Sequence, residues 1–344
     1  MLTQEQVGEI KEHLEKAQNP IFFFDNDPDG LCSFIILRKF CEKGKGVQVK
    51  SHLLKKEYFR KINELNIDYI FILDVPLVEN DFFDEAEKIN LPVVWIDHHN
   101  VQIKFPDFVH YYNPILNNPR TNEPVTHLCY SISGKKEDLW LDIIGCISDN
   151  FYPENYPEFR KKFPELIIDS EEPFDILYKS KIGEIAKILK FALLDTTTNV
   201  VNLLKFLIKA KNPYDILEEN EKNSAIHKRF SEIDKKYNKL LEKAKKNVED
   251  EKLLFFKYSS VLSMSNELAN ELSYLFQQKT IVVIRINNSI ATFSARGKNI
   301  INIIAKALEG ISDSRSGGHE NAVGGQMKSK DAEEFYKNLK KLIN

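Results

Sequence analysis

Three apolar runs in the first hundred residues each end in acid or imidazole, and that repetition constrains the fold more than any other feature. Ile21-Phe22-Phe23-Phe24 leads into Asp25-Asn26-Asp27-Pro28-Asp29-Gly30. Tyr69-Ile70-Phe71-Ile72-Leu73 leads into Asp74, and Pro92-Val93-Val94-Trp95-Ile96 leads into Asp97-His98-His99. Apolar runs without polar alternation read as buried strands of a parallel sheet. In such a sheet the polar tips converge on one edge. Leu139 to Ile147 is a further largely apolar run, and it ends at Ser148-Asp149-Asn150, which adds another acid to the set.

Carboxylates gathered this closely repel one another, and burial raises their pKa unless a cation neutralises them. Asp25, Asp27, Asp29, Asp74 and Asp149 with one or two imidazoles make an oxygen-rich, moderately hard donor set. That set suits Mn2+ or Mg2+ better than structural zinc. Two ions fit better than one, because one would be over-supplied with anionic ligands. A calcium loop of the EF-hand kind would need a Glu at position 36, where the chain has Ile36. Gly30 lets the backbone turn tightly beside the acids, and Ser33 lies near a helix N-terminus that favours an anion.

These pieces, Asp25-x-Asp27-x-Asp29-Gly30 with Ser33, then Asp74, then Asp97-His98-His99, then Asp149, resemble the DHH phosphoesterases in type and order. That family includes RecJ exonucleases, oligoribonucleases, cyclic-dinucleotide phosphodiesterases and family II pyrophosphatases. The resemblance implies Asp27, Asp29, Asp74, His98 and Asp149 as metal ligands, with Asp74 the bridge between two ions. It implies His99 facing the substrate phosphate and Asp25 as a further ligand or an acid just behind the ligands. Pyrophosphatases and many oligoribonucleases carry His where this chain has Phe23. The likeness is therefore to the RecJ branch, of the archaeal RecJ-like or Hef-associated nuclease type.

At 344 residues the chain is long enough for two domains with separate cores. Alternating strands and helices predict an α/β fold. A doubly wound, mostly parallel sheet is expected over residues 1–150, with an opening helix over 3–18 capped by Thr3 and Gln6. A helical and irregular extension follows over 151–215, in which Phe151 to Pro173, with four prolines, reads as a loop or an irregular insertion. A connector helix is expected over 216–251, with Ile226, Phe230, Ile233, Tyr237, Leu240, Leu241 and Ala244 on its apolar stripe. A smaller α/β domain completes the chain over 252–344. His127 reads as a helix-face or core histidine, and Cys32, Cys41, Cys129 and Cys146 as reduced core residues.

The C-terminal domain carries chemistry in two places, Ser294-Ala295-Arg296 at a strand end and the Gly-rich stretch from Arg315 to Gly325, which reads as a loop. Backbone N–H groups of such a loop can cradle phosphate, and an arginine offers it a bidentate donor. Gly317-Gly318-His319 with Gly324-Gly325, preceded by Ser-x-Arg, resembles the DHHA1 domain that follows the DHH domain in this family. That resemblance implies substrate contacts from Ser294, Arg296, Gly317, Gly318 and His319.

The resulting expectation is a two-metal, single-strand-specific exonuclease that releases mononucleotides from DNA or RNA. Without the additional OB-like domain of full RecJ, the direction expected is 3′ to 5′. Two rivals stand beside it. One is a nanoRNase (oligoribonuclease) or cyclic-dinucleotide phosphodiesterase acting on short oligonucleotides, which a net charge of only −3 leaves open. The other is an inactive scaffold of a replication or repair complex. A helicase or replisome protein and a second copy of the chain are the protein partners to expect. No apolar run approaches the roughly 18 residues of a membrane span, so a cytoplasmic location is expected.

Overall fold

The computed structural model describes residues 1–101, 104–247 and 251–343. It divides into two compact units, Met1–Phe230 and Ser231–Asn344. Unit one opens with α1 (Gln4–Lys16), closed at its start by the expected capping box of Thr3 and Gln6. Its strands are β1 (Pro20–Asp25), β2 (Lys45–Val49), β3 (Leu53–Leu54), β4 (Tyr69–Leu73), β5 (Leu77–Val78), β6 (Val93–Ile96) and β7 (Val109–Tyr112). Five of them form an all-parallel sheet in the order β2-β1-β4-β6-β7, and β3 pairs with β5.

Helices α2 (Pro28–Cys41), α5 (Val125–Ser133) and α6 (Leu139–Ser148) cover one face of that sheet, and α3 (Phe59–Leu65) and α4 (Asn80–Lys88) the other. Side chains of a strand alternate between faces. Phe22, Phe24, Phe71, Leu73, Val94 and Ile96 therefore enter the first core, and Ile21, Phe23, Ile70, Ile72, Val93 and Trp95 the second. Both faces being buried is why the three sequence runs show no polar alternation. The chain winds outward from β1 in both directions, so the crevice at the carboxyl ends opens between β1 and β4.

Residues 151 to 173 are more ordered than their prolines suggest. They contain α7 (Tyr156–Lys162), whose Pro157 sits in the first turn, where its missing N–H costs nothing. Tyr156 and Phe159, three residues apart on one helix face, anchor it in the core. Then follow α8 (Pro173–Lys179), α9 (Lys181–Leu193), α10 (Thr197–Leu207), α11 (Tyr214–Leu217) and α12 (Ser224–Lys246). On α12 the residues Ile233, Tyr237, Leu241 and Ala244 are buried. The boundary between the units falls inside this helix, and residues 248–250 of the expected connector lie outside the described residues.

Unit two holds β8 (Leu253–Ser259), α13 (Ser265–Leu275), β9 (Thr280–Asn287), β10 (Ile290–Arg296), α14 (Ile300–Ala307), β11 (Arg315–His319), β12 (Ala322–Lys328) and α15 (Ala332–Ile343). The sheet order is β11-β12-β10-β9-β8, with only β8 and β9 parallel. The Gly-rich stretch is thus a hairpin of β11 and β12 turning at Glu320-Asn321, not a loop. Extended backbone is open to glycine, and here the pairing requires it. A Cβ on Gly325 would lie 2.3 Å from the Phe293 ring. Among the described residues no helix is long and apolar enough to cross a membrane.

Candidate metal centre

The carboxyl ends of β1, β4 and β6 bring the acids and imidazoles together as the topology requires. Asp25 closes β1, Asp74 follows β4, and His98 and His99 follow β6, while Asp149 caps the C-terminus of α6. At this edge there are three groups of donor atoms, each with its atoms within 4.8 Å of one another: Asp25 with Asp27 and Asp74, Asp74 with His98 and His99, and Asp29 with His98 and Asp149. Asp74 belongs to two of these groups, and His98 links it to the third. The His98 Nε2 atom stands 3.4 Å from Asp74 Oδ1, 3.6 Å from Asp149 Oδ2 and 4.0 Å from Asp29 Oδ2. Asp74 is held at φ +61°, a left-handed conformation that Asp tolerates better than most residues.

The local backbone explains these positions. Asp27 caps α2 by accepting the Gly30 N–H at 3.0 Å. A Cβ on Gly30 would come within 2.7 Å of the Asp25 backbone nitrogen, so only glycine allows the acidic turn to fold back this tightly. Asp29 does more than face the cluster. Its two carboxylate oxygens accept the N–H groups of Val125 at 2.9 Å and Thr126 at 2.7 Å, which caps the N-terminus of α5. Ser33 does not wait for an anion as expected. It is buried, and its hydroxyl donates to the Asp29 carbonyl at 2.8 Å, the usual bond of a serine to the preceding helical turn.

Electrostatics point to a cation. Burial, followed by the charges of Asp29, Asp27, Asp25 and Asp149, pushes the Asp74 carboxyl well above its ordinary range. Burial likewise raises Asp29 to about 6, against the pull of His98. Asp27 goes the other way, because Lys190 and the Gly30 N–H outweigh its burial and hold it below the ordinary value. Asp25 Oδ1, Asp74 Oδ1 and His98 Nδ1 are buried without a hydrogen-bond partner. Buried carboxylates left this way are costly unless an ion completes them. Oxygen-rich groups of this kind can hold a divalent metal ion.

His99 is oriented from behind. Its Nδ1 lies 2.7 Å from Asp97 Oδ1, and Asp97 also accepts the Tyr111 hydroxyl at 3.1 Å. Asn113 donates to that hydroxyl at 2.9 Å and to the His99 carbonyl at 3.0 Å. Burial disfavours the His99 cation, but the bond and charge of Asp97 overcome it and raise His99 to about 9. Asp97→Asn is accordingly expected to lower kcat by about 10- to 100-fold, the usual cost of losing a residue that orients a site group. Steady-state kinetics beside an unchanged circular dichroism spectrum checks this.

Several residues at this site carry no motif. His52 places Nδ1 2.6 Å from Asp25 Oδ2 and keeps 60 % of its side chain exposed. Tyr111 and Asn113 lie on and just beyond β7, and only strand pairing brings them behind Asp97. Thr126 had a faint signal in standing beside His127, which is buried and bound to Asp142 at 3.0 Å. In unit two, Ser294 is buried in β10, and Arg296 donates to Asn270 Oδ1 at 2.6 Å and to Asn266, both on α13. Gly317 has open space where a Cβ would stand, and Gly318 has φ +146°. The side chain of His319 lies outside the described residues.

A doubly wound sheet with acids and imidazoles pooled at its carboxyl edge, followed by a separate mixed α/β unit, defines the class as a two-unit α/β protein with an acidic edge able to hold metal. The family model of the DHH family, N-terminal domain, matches residues 21–146, and that of the DHHA1 domain matches residues 260–344. The chain belongs to the DHH family and carries a DHHA1 domain after the DHH domain. RecJ from Thermus thermophilus in complex with Mn2+ is similar at 13% identity and a TM-score of 0.72, over 97% of this chain. This chain spans only 53% of that RecJ. An exonuclease RecJ bound to manganese matches at 14% identity and a TM-score of 0.62, covering 98% of this chain and 94% of its own. The pGpG-specific phosphodiesterase PggH from Vibrio cholerae matches at 13% identity and a TM-score of 0.51, covering 94% of this chain and 99% of its own. Identities this low establish a shared fold. No curated protein matches in sequence.

Proposed function

We propose that the chain is a two-metal phosphodiesterase acting as an exonuclease on single-stranded nucleic acid. The observation that carries this reading is Asp74, shared between one donor group with Asp25 and Asp27 and another with His98 and His99. A carboxylate shared in this way suits a bridge between two ions. Asp25 and Asp27 would hold one, and His98, Asp149 and Asp29 the other, so that Asp25 joins the ligands and Asp29 divides its oxygens between metal and helix. Mn2+, as in the RecJ structures, or Mg2+ would polarise the scissile phosphate and lower the pKa of the attacking water.

The remaining work belongs to the chain. His99, kept cationic and oriented by Asp97, stabilises charge that builds on the phosphoryl oxygens. Arg296, steadied by Asn266 and Asn270, offers its guanidinium to a substrate phosphate. The likeness to PggH supports a second reading, in which the substrate is a dinucleotide.

Hydrolysis of 5′-labelled single-stranded DNA and RNA, as long strands, as trinucleotides and as dinucleotides, with Mn2+ and with EDTA, separates the readings. A metal-dependent ladder on long strands is the expected result, and its pattern gives the direction. Cleavage of trinucleotides or dinucleotides alone supports the short-substrate reading, and no cleavage of any of the three refutes both.

A further inference from the structure

Outside the motifs, a lysine is built into the rim of the acid cluster. Lys190 lies in the last turn of α9, in the helical extension, and its Nζ donates to the carbonyl of Asn26 at 3.2 Å. Asn26 is the residue between Asp25 and Asp27. The same helix end is tied down a second time, since Gln48 on β2 donates both to the Leu193 carbonyl at 2.9 Å and to the Asn26 side chain. Two links through one residue fix the end of α9 against the acidic turn. That end carries the negative pole of the helix, which is an unfavourable neighbour for five carboxylates unless a cation intervenes. The charge of Lys190 reaches Asp27, Asp149 and His52, so it faces both sides of the cluster.

We propose that Lys190 is a substrate-binding residue of this site, its ammonium taking a non-bridging oxygen of a phosphate in the strand being cleaved. This rests on the phosphodiesterase reading above. With the His99 cation offset by Asp97, the five carboxylates would exceed the charge of two divalent ions by one, and Lys190 would restore the balance, so that an incoming phosphodiester meets a neutral rim and not a repelling one. The rival role is a latch that merely holds the acidic turn in place.

Lys190→Gln separates the two, because the amide can still donate to the Asn26 carbonyl while the charge is gone. The expected result is a rise in KM of about tenfold that exceeds any fall in kcat, with partial recovery in Lys190→Arg. The slope of log affinity against log salt for a single strand should fall by about 0.7, the share of one phosphate contact. Mn2+ affinity, measured by titration calorimetry without substrate, should change less than about twofold. An unchanged KM and salt slope in Lys190→Gln, or a large loss of Mn2+ affinity in its place, would overturn the assignment. Absence of turnover by the wild type on every strand would instead overturn the reading beneath it.

Discussion

Asp74→Asn is expected to lower hydrolysis by at least about 10³-fold while leaving the metal-free chain as stable as the wild type or more so. The loss of activity follows from the position of Asp74 in two donor groups, so that one substitution disturbs both. Removing a single preorganised donor in a reaction centre commonly costs about 10²- to 10³-fold, and a shared ligand should cost no less. The stability gain follows from burial. Asp74 is closed off from water and crowded by Asp29, Asp27 and Asp25, so its ionised form opposes folding when no cation is present. Asn keeps the shape, tolerates the left-handed backbone at φ +61° and carries no charge. Ala would confound the result with backbone strain. Thermal unfolding with and without Mn2+, beside turnover, checks both halves. Wild-type activity, or a variant still stabilised fully by Mn2+, refutes the shared-ligand role.

Stability should depend on pH in opposite senses with and without metal. Asp29 is raised to about 6 and Asp74 well above the ordinary carboxylate range, so the folded chain binds more protons than the unfolded one above about pH 4. Stability is lost as pH rises wherever the folded state holds the extra protons. The metal-free protein is therefore expected to lose on the order of a few kcal/mol between about pH 4 and pH 7, a Tm lower by several degrees. Asp27, held below its ordinary value, works in the opposite direction but is outnumbered. Mn2+ binds the ionised ligands, so the trend reverses when it is present. At a hundredfold excess over Kd it adds about 2.7 kcal/mol. Calorimetric scans across pH, with Mn2+ or with EDTA, measure this; a metal-free chain whose Tm climbs between about pH 4 and pH 7 would contradict it.

The sheet was legible because both of its faces are covered. Continuous apolar runs at 21–24, 69–73 and 93–96 leave no other way to bury so much surface, and acids at their ends can only point outward at one edge. Residues 151–173 were not legible, since Tyr156 and Phe159 show their meaning only against the core they fill. The hairpin of β11 and β12 was hidden for a related reason. Glycine favours neither loop nor strand, and the Phe293 ring on the neighbouring strand decided the matter.

What the sequence determined by itself was the α/β class, the order of the acidic and imidazole motifs and the hard-cation character of the donor set. All three depend on residue types adjacent in the chain. Tertiary structure alone decided that Asp25 shares a group with Asp27 and Asp74, that Asp29 caps α5, that Ser33 faces inward, and that His52, Tyr111 and Lys190 stand against Asp25, Asp97 and Asn26. Each of those depends on how the chain folds back on itself, and most join segments far apart, with Lys190 and Asn26 separated by 164 positions. Such contacts follow from packing of the whole unit, which no local pattern encodes.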